Sequence, residues 1–272
     1  MTSEHERTAT AVDVPSVVVV VPTLGERVET LRHSLASVRA QSDVLAHLVV
    51  VVPEAATEAR KIASDLGATV VDDPRRGLSA AVNAGVAARR DERFYAWLGD
   101  DDLLAEGGLR TLADLLEAEP RAVVAYGACT YIDDADRTIA VSRAGDLATK
   151  ILGWGPDLVP QPASLTRVDA LLAAGEYDES LRFAMDLDMF LRLKRHGLFV
   201  STKQEVAAFR WHADSLTVAN RSLSLAESEK VKRRYLPGAA RPLSSLWDLP
   251  VRWATRVAAR QVNARARKVG AL

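Results

Sequence analysis

Two hydrophobic rhythms alternate along the first 120 positions. Short continuous runs rich in β-branched residues are each followed by a longer stretch in which hydrophobics recur every three or four residues. SVVVVVP, residues 16–22, is the first run, and its length and valine content suit a strand buried on both faces of a parallel sheet. Val28, Leu31, Leu35 and Val38 then fall at helical spacing within residues 27–41, which predicts an amphipathic helix. The unit repeats, with strands expected at 46–52, 68–71 and 94–98 and helices at about 54–66, 78–89 and 106–117. Alternation at this spacing builds right-handed βαβ crossovers, hence a Rossmann-like α/β fold with a mostly parallel central sheet and helices on both faces. Ligands bind such sheets beyond the carboxyl ends of the strands, so the loops after Val21, Val52, Val71 and Leu98 are the ones to inspect.

After Pro120 the rhythm changes. RAVVAYGACTYI and TIAVS flank the polar turn DDADR, a strand pair joined at residues 133–137. A helical segment at 146–152, a Gly/Pro-rich loop at 153–162, a strand at 163–166, a helix at 186–196 and a final strand at 205–210 follow. The second half therefore reads as an α+β lobe built onto the same sheet. The expected organisation is a loose tail over 1–14, one domain over 15–222 with halves 15–120 and 121–222, and a basic helical C-terminal extension over 223–272.

Composition narrows the class. With 272 residues, 48% hydrophobic and 26% charged, the chain suits a soluble globular protein with a sizeable core. Its single cysteine, Cys129, cannot form an internal disulfide and fits a reducing cytoplasm. Residues 1–13 carry charge where an export signal needs an apolar core, and the run Val17 to Val21 is far short of the ~20 residues that span a bilayer. The net charge of -1 hides an asymmetry, because residues 230–272 hold eleven Lys or Arg against one acid, Asp248. Arg252, Arg256, Arg260 and Arg267 share one side of a helical wheel, with Trp247 and Trp253 nearby. Such a helix suits peripheral contact with an anionic membrane at its inner face; packing on the body or on another subunit of a homo-oligomer fits equally.

The chemistry concentrates in WLGDDDLL, residues 97–104. Adjacent carboxylates repel one another and resist desolvation, so Asp100, Asp101 and Asp102 at a strand end call for a cation or a set of donors. PTLGER (22–27), RRGLSAAVNAGVAAR (75–89), WLGDDDLL, GEYDESLRFAMDLDMFLRL (175–193) and RWHADSLT (210–217) follow one another on this strand-helix frame. In order and spacing they resemble the inverting GT-A fold glycosyltransferases of the family 2 group, over about residues 15–220. The resemblance implies a metal-dependent enzyme that moves a hexosyl or deoxyhexosyl unit from a UDP-, dTDP- or GDP-linked donor to a glycan, lipid-linked or natural-product hydroxyl, as in cell-wall or polysaccharide biosynthesis.

It also implies site residues. A DXD-type motif would place Asp101 and Asp102 on Mg²⁺ or Mn²⁺, with His212 approaching the same cation and Asp100 reaching the ribose or a metal-bound water. The cation would suit such ligands, being hard and oxygen-seeking. Pro22, Thr23, Glu26, Glu54, Arg75 and Asn83 would line the nucleotide-sugar site, and Trp154 and Gln161 the acceptor pocket. Asp186 would be the general base, taking the proton of the attacking hydroxyl; as a bare feature it would merely cap its helix. Two departures bear on the donor. Gly99 stands where some relatives carry the first aspartate, and VVPEAAT (51–57) replaces the acidic run that commonly reads the base. They keep open a rival reading, a catalytically inactive nucleotide-sugar-binding scaffold of the same fold. No Gly-rich, Lys-bearing phosphate loop follows the first strand, which disfavours a nucleotidyltransferase, and nucleic acid is not an expected partner.

Overall fold

The computed structural model describes residues 14–143, 145–211 and 221–238, with positions 246, 250–253, 257, 260, 262 and 264–265. Strands β1 (Ser16–Pro22), β2 (Leu45–Val52), β3 (Thr69–Asp72) and β4 (Phe94–Trp97) are joined by helices α1 (Val28–Arg39), α2 (Thr57–Asp65) and α3 (Leu78–Ala87). These strands lie parallel in the order β3-β2-β1-β4. Val17 to Val21 are all fully buried, and their side chains alternate between two cores. Val17, Val19 and Val21 pack with Leu31, Leu35 and Ile62, whereas Val18 and Val20 pack with Val82, Tyr95 and Met189. A β carbon at Gly85 would lie 2.2 Å from Val20 Cγ1, so only glycine lets α3 press onto β1 this closely.

From β3 the chain returns through α3 to the far side of β1, where β4 pairs Val20 with Trp97. The strand order reverses there. The loops leaving β1 and β4 therefore flank the crevice in which such sheets bind ligands.

The remaining elements are β5 (Leu103–Leu104), α4 (Gly108–Ala118), β6 (Ala122–Ile132), β7 (Thr138–Ser142), α5 (Leu147–Ile151), β8 (Ser164–Arg167), α6 (Val168–Ala174), α7 (Met185–Leu193), β9 (Leu198–Arg210) and α8 (Arg221–Tyr235). The sheet continues from β4 through β8, β6 and β9 to β5, with β7 on β6. Pairing is antiparallel at β4–β8 and β6–β8 and parallel at β6–β9. A single sheet thus runs through both halves.

Three features differ from the sequence expectation. The last strand begins at Leu198 rather than 205, because the apolar start at 198–200 is cut off from the rest by the polar run 201–204 and the register against β6 is irregular there. The two-residue β5, too short to show a hydrophobic pattern, pairs Leu103 with Ala208 and Leu104 with Ala207 and so ties the aspartate loop to the end of β9. Helix α6 was not anticipated. Among the described residues no helix is long and apolar enough to cross a membrane. The expected N-terminal tail, Trp247, Arg256 and Arg267 lie outside the described residues.

Candidate functional site

The two loops at the reversal point grip each other. Thr23, just beyond β1, donates its hydroxyl to Asp100 Oδ2 at 2.6 Å. Arg27 spans two aspartates, Nη2 to Asp100 Oδ1 and Nη1 to Asp101 Oδ2, both at 2.6 Å. Burial pushes Asp100 up from the usual carboxylate range, although Arg27 and Thr23 oppose it. Pro22 is buried at the end of β1, directly before these donors.

Asp102 is only 4% exposed. Its Oδ1 accepts the backbone N–H of Arg210 at 3.0 Å, and the Arg210 side chain donates to the Asp101 carbonyl at 3.0 Å and to Asp136 at 2.6 Å. Burial, and then the neighbouring Asp101, hold the Asp102 carboxyl well above the ordinary range. Gly99 explains how two acids crowd together here: a β carbon at that position would stand 2.8 Å from Asp102 Oδ2 and 2.9 Å from Asp101 Oδ1. Those two oxygens converge over a residue with no side chain.

Asp186 sits in the first turn of α7. Its Oδ1 accepts the indole N–H of Trp97 at 3.0 Å, three residues before Asp100 on the strand that leads into the aspartate loop. Desolvation pushes its carboxyl up to about 7, against the Trp97 bond and aided by the charge of Asp157. Asp157 keeps access to solvent, yet desolvation carries it to about 6, opposed by the Val159 N–H and Lys232. Groups that are both reachable and crowded by protein line a cleft, not a core or an open face. Gln161 belongs to this neighbourhood, since its amide donates to the Trp97 carbonyl at 2.6 Å. The phenols of Tyr95 and Tyr177 lie 3.2 Å apart behind the indole.

Other expected residues stand apart. Glu26, Glu54 and Arg75 are exposed, and the Arg75 backbone N–H donates to Asp73 Oδ1 in a local turn. Asn83 spends both ends of its amide on Tyr177, donating to its carbonyl at 3.0 Å and accepting its N–H at 2.8 Å; this is a tie between α3 and the segment before α7. Trp154 is half exposed, and His212 lies outside the described residues. Sequence reasoning missed Arg27, Trp97, Asp157 and Arg210. Arg27 and Trp97 stood inside quoted motifs, but their partners are 73 or more residues away.

A parallel sheet with a reversal point, an acidic loop at that point and a perturbed carboxyl beside it define a GT-A type α/β protein. The sequence model of Glycosyl transferase family 2 matches residues 18–171, more than half the chain, and the protein belongs to that family. No curated protein sequence matches it. Among solved structures it is similar to S. aureus TarS 1-349 in complex with UDP-GlcNAc, with TM-score 0.64, 15% identity, and 80% of this chain and 64% of that one covered. A mannosyltransferase, PcManGT from Pyrobaculum calidifontis in complex with GDP-Man and Mn²⁺, gives TM-score 0.62 and 18% identity over 95% and 76%. Glucosyl-3-phosphoglycerate synthase from Mycobacterium tuberculosis, in complex with Mn²⁺, UDP and glucosyl-3-phosphoglycerate, gives 0.55 and 16% over 80% and 78%. At these identities the likeness is one of fold. A longer S. aureus TarS structure is covered over only 41% of its length.

Proposed function

We propose that the protein is a metal-dependent, inverting glycosyltransferase that moves a hexosyl or deoxyhexosyl unit from a nucleoside-diphosphate sugar to a hydroxyl of a glycan, lipid-linked or natural-product acceptor. The observation that carries this reading is Asp186, a reachable carboxyl raised to about 7 and tied to the strand that ends in the aspartate loop. In an inverting transfer the acceptor oxygen bonds to the anomeric carbon as the bond to the diphosphate breaks on the opposite face. Asp186 takes the acceptor proton. A base whose pKa lies near the working pH combines availability with driving force. The complexes of the similar proteins with UDP-GlcNAc and with GDP-Man support the donor class.

The residues suit a divalent cation. Asp101 Oδ1 and Asp102 Oδ2 converge over Gly99, a cradle that a side chain would fill. Asp101 and Asp102 would share the cation with oxygens of the donor, as is common for Mg²⁺, and with His212, which lies outside the described residues. When bound, the cation would stabilise the charge developing on the diphosphate. Asp100 and Thr23 would hold the ribose side of the donor, and Gln161 and Trp154 the acceptor side. The basic C-terminal segment would suit work at the cytoplasmic face of a membrane, or packing on the body, where Arg252 pairs with Glu229; a role in polysaccharide or cell-wall assembly would fit the donor class.

One observation favours the rival, a catalytically silent nucleotide-sugar-binding protein. Arg27 already bridges Asp100 and Asp101, and a guanidinium there competes with a metal. A thermal-shift panel of UDP-, dTDP- and GDP-sugars with and without Mn²⁺ decides, paired with release of nucleoside diphosphate. Binding at a hundred times Kd stabilises by about 2.7 kcal/mol. The enzyme reading expects Mn²⁺-dependent stabilisation together with release; stabilisation without release from any donor would leave the scaffold.

A further inference from the structure

Helix α8 lies beyond the residues matched by the family and closes over α7. The N-terminal N–H groups of a helix have no partners within it, and α7 has no capping side chain of its own, Ala184 standing at its N-cap. Glu227 of α8, 43 residues from Ala184, instead binds the N-cap N–H and those of the two residues before it. Its Oε2 accepts the N–H of Phe183 at 2.5 Å and of Ala184 at 2.7 Å, and both its oxygens lie 3.1 Å from the N–H of Arg182. Hydrogen bonds to an ionised acceptor are roughly twice as strong as neutral ones. One carboxylate therefore fixes three consecutive peptides directly before the turn that carries Asp186.

The rest of α8 reinforces the grip. Val231, one turn after Glu227, is fully buried in the cluster that includes Met185 and Met189. Tyr235 donates to Asp188 Oδ1 at 2.7 Å, Arg234 pairs with Asp178 at 2.9 Å, and Lys232 donates to the carbonyl of Gly155 in the loop that carries Asp157. The helix thus braces both the start of α7 and the loop opposite it. Against Asp186 itself stand Trp97 and Tyr95 from β4, Tyr177 from the segment before α7, and Asp157. The 3.0 Å contact from Trp97 depends on where α7 begins, and hydrogen bonds weaken steeply with misalignment.

We propose that Glu227 is a positioning residue for the transfer reaction, holding the first turn of α7 so that the Asp186 carboxylate meets the Trp97 indole and points into the cleft. This rests on the reading of Asp186 as the base. The test uses the full-length protein labelled with nitrogen-15 tryptophan, the Trp97 indole N–H signal being assigned through Trp97→Phe. In Glu227→Ala that signal shifts toward its position in Asp186→Ala, while Glu227→Gln, which retains one acceptor oxygen, moves it part of the way. Lys230→Ala, an exposed change on the same helix, leaves it in place. Release of nucleoside diphosphate from the best-binding donor of the panel falls about ten- to hundredfold in Glu227→Ala, with donor KM unchanged. A Trp97 signal that stays put in folded Glu227→Ala, or a loss confined to donor KM, overturns the proposal; if that variant does not fold, Glu227→Gln decides on the same two readouts. Wild-type turnover in Asp186→Asn would instead remove the base assignment, while the Trp97 signal still reports whether Glu227 sets the geometry.

Discussion

Asp186 keeps its basicity at a cost to stability. Its carboxyl ionises near 4 in the unfolded chain and at about 7 in the folded protein. Between those values the folded state holds the extra proton, so stability falls as pH rises from about 4 to about 7, by a few kcal/mol at most. Asp186→Asn removes the dependence: its Tm should match wild type near pH 4 and exceed it at pH 8 in paired thermal melts. Equal melts at both values would place Asp186 in water. Gly99 is the second position where one atom matters. A β carbon there meets carboxylate oxygens of side chains held by Arg210 and Arg27, so Gly99→Ala should lower Tm while displacing Asp101 and Asp102. Mn²⁺ titration followed by electron paramagnetic resonance should show affinity lowered about tenfold, within the range for disturbed ligand positioning, and unchanged affinity would separate these aspartates from the metal. The acidic triplet was legible in the sequence, because it sits at a strand end the hydrophobic rhythm marks, whereas Asp186 was singled out by the family resemblance alone. Arg27 was not legible, since a charged residue in a loop carries no pattern that names a partner on β4.

At the scale of elements, the tie between α3 and the segment before α7 rests on Asn83. Both its amide bonds go to the Tyr177 backbone, and losing two half-buried bonds costs about 2–3 kcal/mol. Asn83→Ala should therefore lower stability by that amount in urea unfolding and leave donor affinity at wild-type strength; a selective loss of affinity would return Asn83 to the nucleotide site. The strands and helices of the first half were readable because each buries a whole run or a whole face. Short or polar elements were not. β5 has two residues, and the first half of β9 has only a three-residue apolar run before polar positions 201–204, so neither leaves a sustained hydrophobic signature. Yet β5 and β9 bring Arg210 to Asp102. In α8, Glu227 has no local pattern at all, its partners being backbone groups of another helix.

For the whole molecule, topology turns distant motifs into one site. The reversal between β1 and β4 joins residues 23–27 to residues 99–102, and the continuing sheet carries α7 to the same crevice. The βαβ rhythm foretold the first join. The second depended on antiparallel β8 and on α6, which sequence periodicity did not fully reveal. If Asp186 removes the proton in a transfer from a nucleotide sugar, its ionisation should govern the rate of nucleoside diphosphate release with pH, measured for wild type and Asp186→Asn at saturating donor and Mn²⁺. The wild-type rate should rise through about pH 7 and level above it, and the variant should bind donor equally but turn over about 10²–10⁴-fold more slowly without that rise. A variant with wild-type rate and pH dependence would contradict that role for Asp186.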